Sequence, residues 1–253
     1  MSSRSQASRY AWVLSAIIAP SLLLAQSVFT YRDTKGDLSL KSRDGQGEMI
    51  SNGYKFILRG AVSVTSKSRA FTLTADRVEA TVSATKSGES PNDLRIAKAT
   101  GKVKLVQSSA GQNSTLTANS VTYQPLGNQG KVEASGSVTI QNIDSAKRES
   151  MRATGSSGSA TLDKTAQRGV RTAELKGPVR VDVVQSSKSN SKVVFTGGRL
   201  TLTGDTITLS GNVKASGSGA SQFGNLSNVD SLTVYLNDKG EMSRFTFKSG
   251  GLD

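Results

Sequence analysis

The chain holds no cysteine and no histidine. That removes thiolate–zinc sites, cysteine nucleophiles, disulfide staples and the histidine-centred arrangements that activate serine. No cofactor and no metal are expected. What remains for acid–base chemistry is carboxylate pairs, Asp33 with Asp37 and Asp76 with Glu79. Two carboxylates suffice for glycoside hydrolysis when they flank the scissile bond, yet neither pair recurs where the chain repeats itself. Gly155-Ser156-Ser157-Gly158 and Gly217-Ser218-Gly219 are rich in glycine. They lack the Gly-Lys-Ser/Thr sequel and the following helix of a phosphate loop, and so read as turns. No catalytic residue is assigned, and the chain is not expected to be an enzyme.

Charge is the second kind of chemistry on offer. Against 19 Asp and Glu stand 32 Lys and Arg, a net charge of +13. Such an excess suits an acidic partner (nucleic acid, anionic lipid or lipopolysaccharide) or a solvated face that favours Lys. The cations are scattered singly, with no block of five or six like charges. The 5 Tyr, 7 Phe and 1 Trp do not interleave with them as base-stacking platforms would. Nucleic acid is therefore not an expected partner.

The third resource is apolar surface, which must be placed by strands. Hydrophobic residues are 35% of the chain and aromatics 5%. Ser, Thr, Gly and Val take up the difference, a mixture that favours strands and turns. Any core must be thin.

The N-terminus has a different character. Arg4 and Arg9 precede an apolar run from Ala11 to Ala25. A basic segment followed by an apolar one is the layout of a secretory signal, here with a cleavage site after Ala25. Leu23 stands where a small residue is preferred. No charge falls between Arg9 and Arg32, so the same segment also reads as an uncleaved inner-membrane anchor. Both readings place the rest of the chain outside the cytoplasm, in the periplasm. Residues 1–25 are thus expected to be signal or anchor, 26–49 a linker with a first partial strand, and 50–253 the folded repeat.

The repeat is Gly-x-Val. It occurs at Gly60-Ala61-Val62, Gly101-Lys102-Val103, Gly136-Ser137-Val138, Gly177-Pro178-Val179 and Gly211-Asn212-Val213, at intervals of 41, 35, 41 and 34 residues. A sixth Gly, Gly250, follows 39 residues later. Each motif starts an alternating stretch, such as Val103/Leu105 or Val179/Val181/Val183. A polar turn comes next, then a second alternating stretch such as Leu116/Ala118 and Val121/Tyr123, then a return to the next Gly. Period-two alternation marks half-buried strands. The motif Gly is in phase with the inward residues, as in Val132-Ala134-Gly136-Val138, which suits a bend or bulge within a continuing strand. The returns Lys86–Lys98 and Asp163–Lys176 are longer than the others and are expected to be charged turns, as if a two-unit block were duplicated. About 38 residues per unit corresponds to roughly four short strands. Stacked units give an all-β, twisted β-jelly roll or open β-solenoid of two facing antiparallel sheets, with exposed edges at both ends.

The segments FTLTADRVEA (71–80), STLTANSVTY (114–123) and GKVEASGSV (130–138) carry a resemblance. Together with the spacing, over residues 50 to 250, they resemble the OstA-like domain family of lipopolysaccharide-transport periplasmic proteins, the LptA/LptC type. The resemblance implies a twisted β-jelly roll whose apolar groove takes acyl chains. It implies transfer of lipopolysaccharide toward the outer membrane along an edge-to-edge bridge of OstA-like envelope proteins, with self-oligomers as one form of that bridge. The chain is longer than the minimal family domain and its loops are irregular.

The physical reading runs beside this. Shielding one CH₂ from water is worth about 0.8 kcal/mol, so part of an acyl chain supplies several kcal/mol. An apolar trough shields it without a bond that would fix it in place. Val62, Val64, Phe71, Leu73, Val103, Leu105, Leu116, Val138, Ile140, Val179 and Val181 are expected to line such a trough, each with plain core packing as the competing reading. A structural or adhesive surface β-solenoid would share export and repeats, but with a filled interior. An open gap between sheets separates the first reading from the second.

Overall fold

The structure is a computed structural model that describes residues 29–32, 38–50, 53–67, 70–83, 94–109, 112–126, 129–145, 149–163, 170–185, 191–219, 226–237 and 242–249. The signal or anchor segment at 1–25 and Gly250 lie outside the described residues. No helix among the described residues is long and apolar enough to cross a membrane.

Among the described residues fourteen strands form one antiparallel sheet. They are β1 (Phe29–Arg32), β2 (Leu38–Ser42), β3 (Asp44–Ile50), β4 (Gly53–Ser66), β5 (Phe71–Ser83), β6 (Leu94–Ser109), β7 (Gln112–Leu126), β8 (Gln129–Asp144), β9 (Glu149–Asp163), β10 (Val170–Gln185), β11 (Ser191–Thr203), β12 (Thr206–Ser216), β13 (Val229–Leu236) and β14 (Met242–Lys248). From β4 onward each strand pairs with the next in sequence, and the sheet does not close on itself. β2 and β3 cover opposite ends of β4 and act as one strand interrupted at Arg43, whose N–H donates to the Gly60 carbonyl at 2.9 Å. Residues 29–50 therefore supply three strands to the same sheet.

The all-β reading holds. Hydrogen bonding joins every strand in one sheet, where the sequence suggested two separate ones. The four short strands expected per unit are two long strands, each made of two halves. The supposed charged returns are strand where they are described: Leu94–Lys98 begins β6, Asp163 ends β9 and Val170–Lys176 begins β10, while residues 86–93 and 164–169 lie outside the described residues. Lys98 and Lys176 lie on exposed positions of alternating strands, which gave those stretches the look of polar turns.

β4 through β12 run 11 to 16 residues, at or above the usual upper range for strands. They reach this length because each pairing slips register midway. In β4, Gly60 and Ala61 fall between the paired positions Arg59 and Val62, opposite the single residue Asp76 of β5. The same slip occurs at Gly101-Lys102, Gly136-Ser137, Gly177-Pro178 and Gly211-Asn212. Two residues facing one is a β-bulge, which bends the strand and increases its twist. At four of these sites both residues have positive φ, for instance +75° at Gly101 and +48° at Lys102. At the fifth, Pro178 follows Gly177 (φ +91°), and the proline ring holds φ negative.

Glycine is required at the first bulge position for two reasons. An L-residue in the left-handed region costs about 1–2 kcal/mol. Space is also lacking: a Cβ at Gly101 would sit 2.8 Å from the Asp76 Cβ, and one at Gly136 would sit 2.7 Å from the Asn119 Cβ.

The bulges align across the sheet and divide it into two halves. Beside the line on one side lie Val62, Val103, Val138, Val179 and Val213, each at most 2% exposed. They alternate with small partners: Val62 pairs Ala75, Val103 pairs Ala118, Val138 pairs Gly155 and Val179 pairs Gly197. On the other side lie Leu58, Val78, Ala99, Val121, Ala134, Leu175, Leu209 and Leu232, all buried. We call these the valine half and the leucine half. A spare methyl on one strand fills the room left by Ala or Gly on the next. The core is this double row and the residues packed against it.

Candidate functional site

The candidate site is built from alternation. In the valine half, one ladder crosses ten strands with an apolar or small residue at every step. It runs Leu40, Val64, Leu73, Leu105, Leu116, Ile140, Ala153, Val181, Phe195, Ala215, each paired with the next. Six of the eleven residues expected to line a trough stand in it: Val64, Leu73, Leu105, Leu116, Ile140 and Val181. Val64, Leu73, Leu105, Leu116 and Ile140 are half-buried; Val181 is buried.

Four more, Val62, Val103, Val138 and Val179, stand one step nearer the bulge line. They are buried against the sheet's own residues and form the floor rather than an open lining. Phe71 pairs with Gln107 and Ser66 in the next ladder out; its side chain lies outside the described residues. The structure thus gathers the eleven positions onto neighbouring ladders of a single face. It also grades them: the residues beside the bulge line are fully buried, and one ladder out Val64, Leu73, Leu105, Leu116 and Ile140 are half-buried while Val181 remains buried.

The expectation missed the leucine half. There a second ladder runs Phe56, Ala80, Ala97, Tyr123, Val132, Ala160, Ala173, Leu202, Ile207, Val234, Phe245. The signal for it was present in the sequence. In the strands facing each bulge, the buried positions step by three instead of two: Ala75 to Val78, Ala118 to Val121, Val229 to Leu232. In the bulged strands they step by four across the Gly: Leu58 to Val62, Ala99 to Val103, Ala134 to Val138. A phase break of this kind marks where a strand crosses the line, and it shows that both halves present the same face.

The opposite face is polar, and its charges differ between halves. In the leucine half the carboxylates of adjacent ladders are matched. Glu79 meets Arg77 at 2.8 Å and Lys55 at 3.7 Å; Glu133 meets Lys131 at 2.7 Å; Glu174 meets Lys176 at 3.5 Å and also Arg199. In the valine half Arg180 donates twice to Asp182, from Nε at 2.9 Å and Nη2 at 2.8 Å. These hydrogen bonds hold the Asp182 carboxyl below the ordinary carboxylate range; partial burial opposes the shift, and the charges of Arg180, Lys192 and Arg152 add to it. Exposed pairs of this kind add little to stability.

Two carboxylate pairs are the sequence's candidates for catalysis. Asp33 and Asp37 lie outside the described residues. Asp76 stands opposite a bulge, and Glu79 is taken up by its two cations. No cluster of three or more acidic side chains able to hold a metal ion is found among the described residues.

Comparison with known proteins adds no relative: no family model matches the chain, and no curated protein or solved structure matches it.

Proposed function

We propose that this protein is a periplasmic lipid-binding bridge or chaperone that carries lipopolysaccharide, or a similar acylated amphiphile, toward the outer membrane. The reading rests on one observation above all. A ten-strand apolar ladder runs beside the bulge line; Ala153, Val181 and Phe195 in it are buried and the other seven residues half-buried, and the residues that flank them on each strand are polar except Val106 and Val194. On this account the aligned bulges crease the sheet into a twisted jelly roll. The two halves then face each other as walls, and the valine and leucine rows are its floor. Acyl chains lie along the ladders, where each covered CH₂ contributes about 0.8 kcal/mol and no single contact holds the chain in place. The basic-then-apolar N-terminal segment directs export and is either removed or kept as an inner-membrane tether.

Transfer needs neighbours. β3 and β14 each have one sheet partner among the described residues, β4 and β13 respectively. Phe247 on β14 and Met49 on β3 are exposed. An open edge with exposed apolar side chains accepts another strand. Other OstA-like envelope proteins, or further copies of this chain, are the expected partners by edge-to-edge pairing.

A structural or adhesive β-solenoid is the second reading. The completely buried valine row favours it, since a floor that packs on itself needs no cargo. The test is native mass spectrometry of the protein purified gently from its own envelope. A mass increment matching an acylated lipid is expected. Bare protein from a lipid-rich preparation would favour the structural role.

A further inference from the structure

The polar face of the valine half carries a charge array that the lipid-carrier reading does not use. Lys41, Lys104, Arg152, Arg180, Lys192 and Lys214 occupy polar-face positions there, and all are exposed. Among the described residues Asp182 is the carboxylate paired into these ladders, already engaged by Arg180, while Asp76 and Asp230, also exposed, stand opposite bulges at the border of this half. On the leucine half, by contrast, Glu79, Glu133 and Glu174 are interleaved with their cations.

The array is ordered. A single ladder runs Lys41, Ser63, Thr74, Lys104, Thr117, Thr139, Thr154, Arg180, Thr196, Lys214. At about 4.8 Å per strand it spans roughly 43 Å. Every side chain in it can donate a hydrogen bond, and none is acidic. In the adjoining ladders, Lys104 and Arg152 flank a shallow depression floored by Thr115, Thr117, Thr139 and Gln141. Two cations at its rim and hydroxyl and amide donors beneath are chemistry that suits a phosphate.

We propose that this face docks on a bilayer surface bearing anionic lipid headgroups. The length of the array argues for a surface rather than a single anion. The chemistry argues for phosphate: a donor ladder that carries four cations and no carboxylate of its own. Nucleic acid fits less well, because the polar-face positions of this half carry no aromatic side chain on which bases could stack. The docking leaves the apolar face free, so it stands or falls separately from the lipid-carrier reading.

The test uses the full chain and vesicles of phosphatidylcholine, alone or with about one third phosphatidylglycerol. The apolar segment 11–25 adds a partition that does not depend on lipid charge, so the quantity read is the increment caused by phosphatidylglycerol. Two double variants carry the same change in net charge: K104E with K214E on the valine half, and K98E with K248E on the leucine half. Each cation near an anionic surface contributes about 1 kcal/mol, so the first pair is expected to lower the increment about thirtyfold or more. The second pair should leave it within about threefold of the parent, and salt should weaken it in the parent. Equal loss in both variants would mean that net charge alone draws the protein to the vesicles, and would overturn the proposal. So would an increment untouched by either pair. A random-sequence DNA duplex that binds the parent as tightly as the vesicles, and is lost in the K104E/K214E variant, would assign the face to nucleic acid instead.

Discussion

Replacing Gly101 by alanine is expected to cost the fold about 3 kcal/mol, a large share of the 5–15 kcal/mol that holds a typical domain together. Two penalties combine. The residue has a φ of +75°, where an L-side chain costs about 1–2 kcal/mol. The new methyl would also stand 2.8 Å from the Asp76 Cβ and 2.9 Å from its Cγ, and such overpacking costs about 1–3 kcal/mol. Gly204 is the control. Its φ is +57°, but nothing lies within 4 Å of the position a Cβ would take, so Gly204→Ala should cost only about 1 kcal/mol, the backbone part. Chemical denaturation measures both. Adding Asp76→Gly to Gly101→Ala should recover the steric share and leave the backbone share. If Gly101→Ala and Gly204→Ala cost the same, the close approach of facing strands is not what makes glycine necessary at the bulge.

A charge placed on the floor should be worse still. Val103 is 1% exposed and pairs with Ala118. Val103→Asp is expected to cost about 4 kcal/mol or more, from burying an unpaired charge and losing valine packing. The pH dependence follows from the sign of the shift. Burial raises the folded-state pKa of the new carboxyl above its unfolded value. The ionisation penalty is therefore full at neutral pH and shrinks as pH falls through the carboxylate range. Lys104→Glu, one residue along on the polar face, should change stability by no more than about 0.5 kcal/mol. Thermal or denaturant unfolding at pH 7 and pH 4 separates these outcomes. A Val103→Asp protein as stable as the parent would show that the valine row is not the packed floor.

The strands were legible because alternation is local. Val103 and Leu105 point the same way in any strand, whatever its neighbours, and the Gly-x-Val spacing exposed the bulges before their geometry was known. The long β8, from Gln129 to Asp144, was harder to read as one element. Its bulge at Gly136-Ser137 keeps the apolar phase intact, so nothing in the sequence separates a continuing strand from two strands joined at a corner. The leucine half reads as strand but falls outside the expected trough, for the opposite reason. In β5 and β7 the phase breaks between Ala75 and Val78 and between Ala118 and Val121, and a period-two reading treats each break as the end of an element. Burial within the candidate face could not be graded from the sequence either. Val103 and Leu105 are equivalent in pattern. Only the alignment of bulges across strands puts the valine against its small partner Ala118 and leaves the leucine two residues farther from the line. The charge contrast between the two polar faces depends on register in the same way. Lys41, Lys104, Arg180 and Lys214 lie far apart in sequence and become collinear once the strands are paired.

The central claim is that the apolar face takes acyl chains, and Leu105 and Lys104 test it most directly. The two are sequence neighbours on β6, equally near the bulge line, and they point to opposite faces. A photo-crosslinking amino acid is placed at each position in turn, in cells that make the protein at its normal site, and the protein is freed of membranes before illumination, so that a polar face docked on a bilayer contributes no lipid. Captured material is then analysed for covalently attached lipid. The account predicts lipid adducts from position 105 and none, or a small fraction as many, from position 104. Equal capture at the two positions would mean that alternation does not organise the site. Folded protein that captures lipid from neither position 105 nor any other position of the Val64–Leu73–Leu105–Leu116–Ile140 ladder would contradict lipid carriage and leave the sheet a structural element.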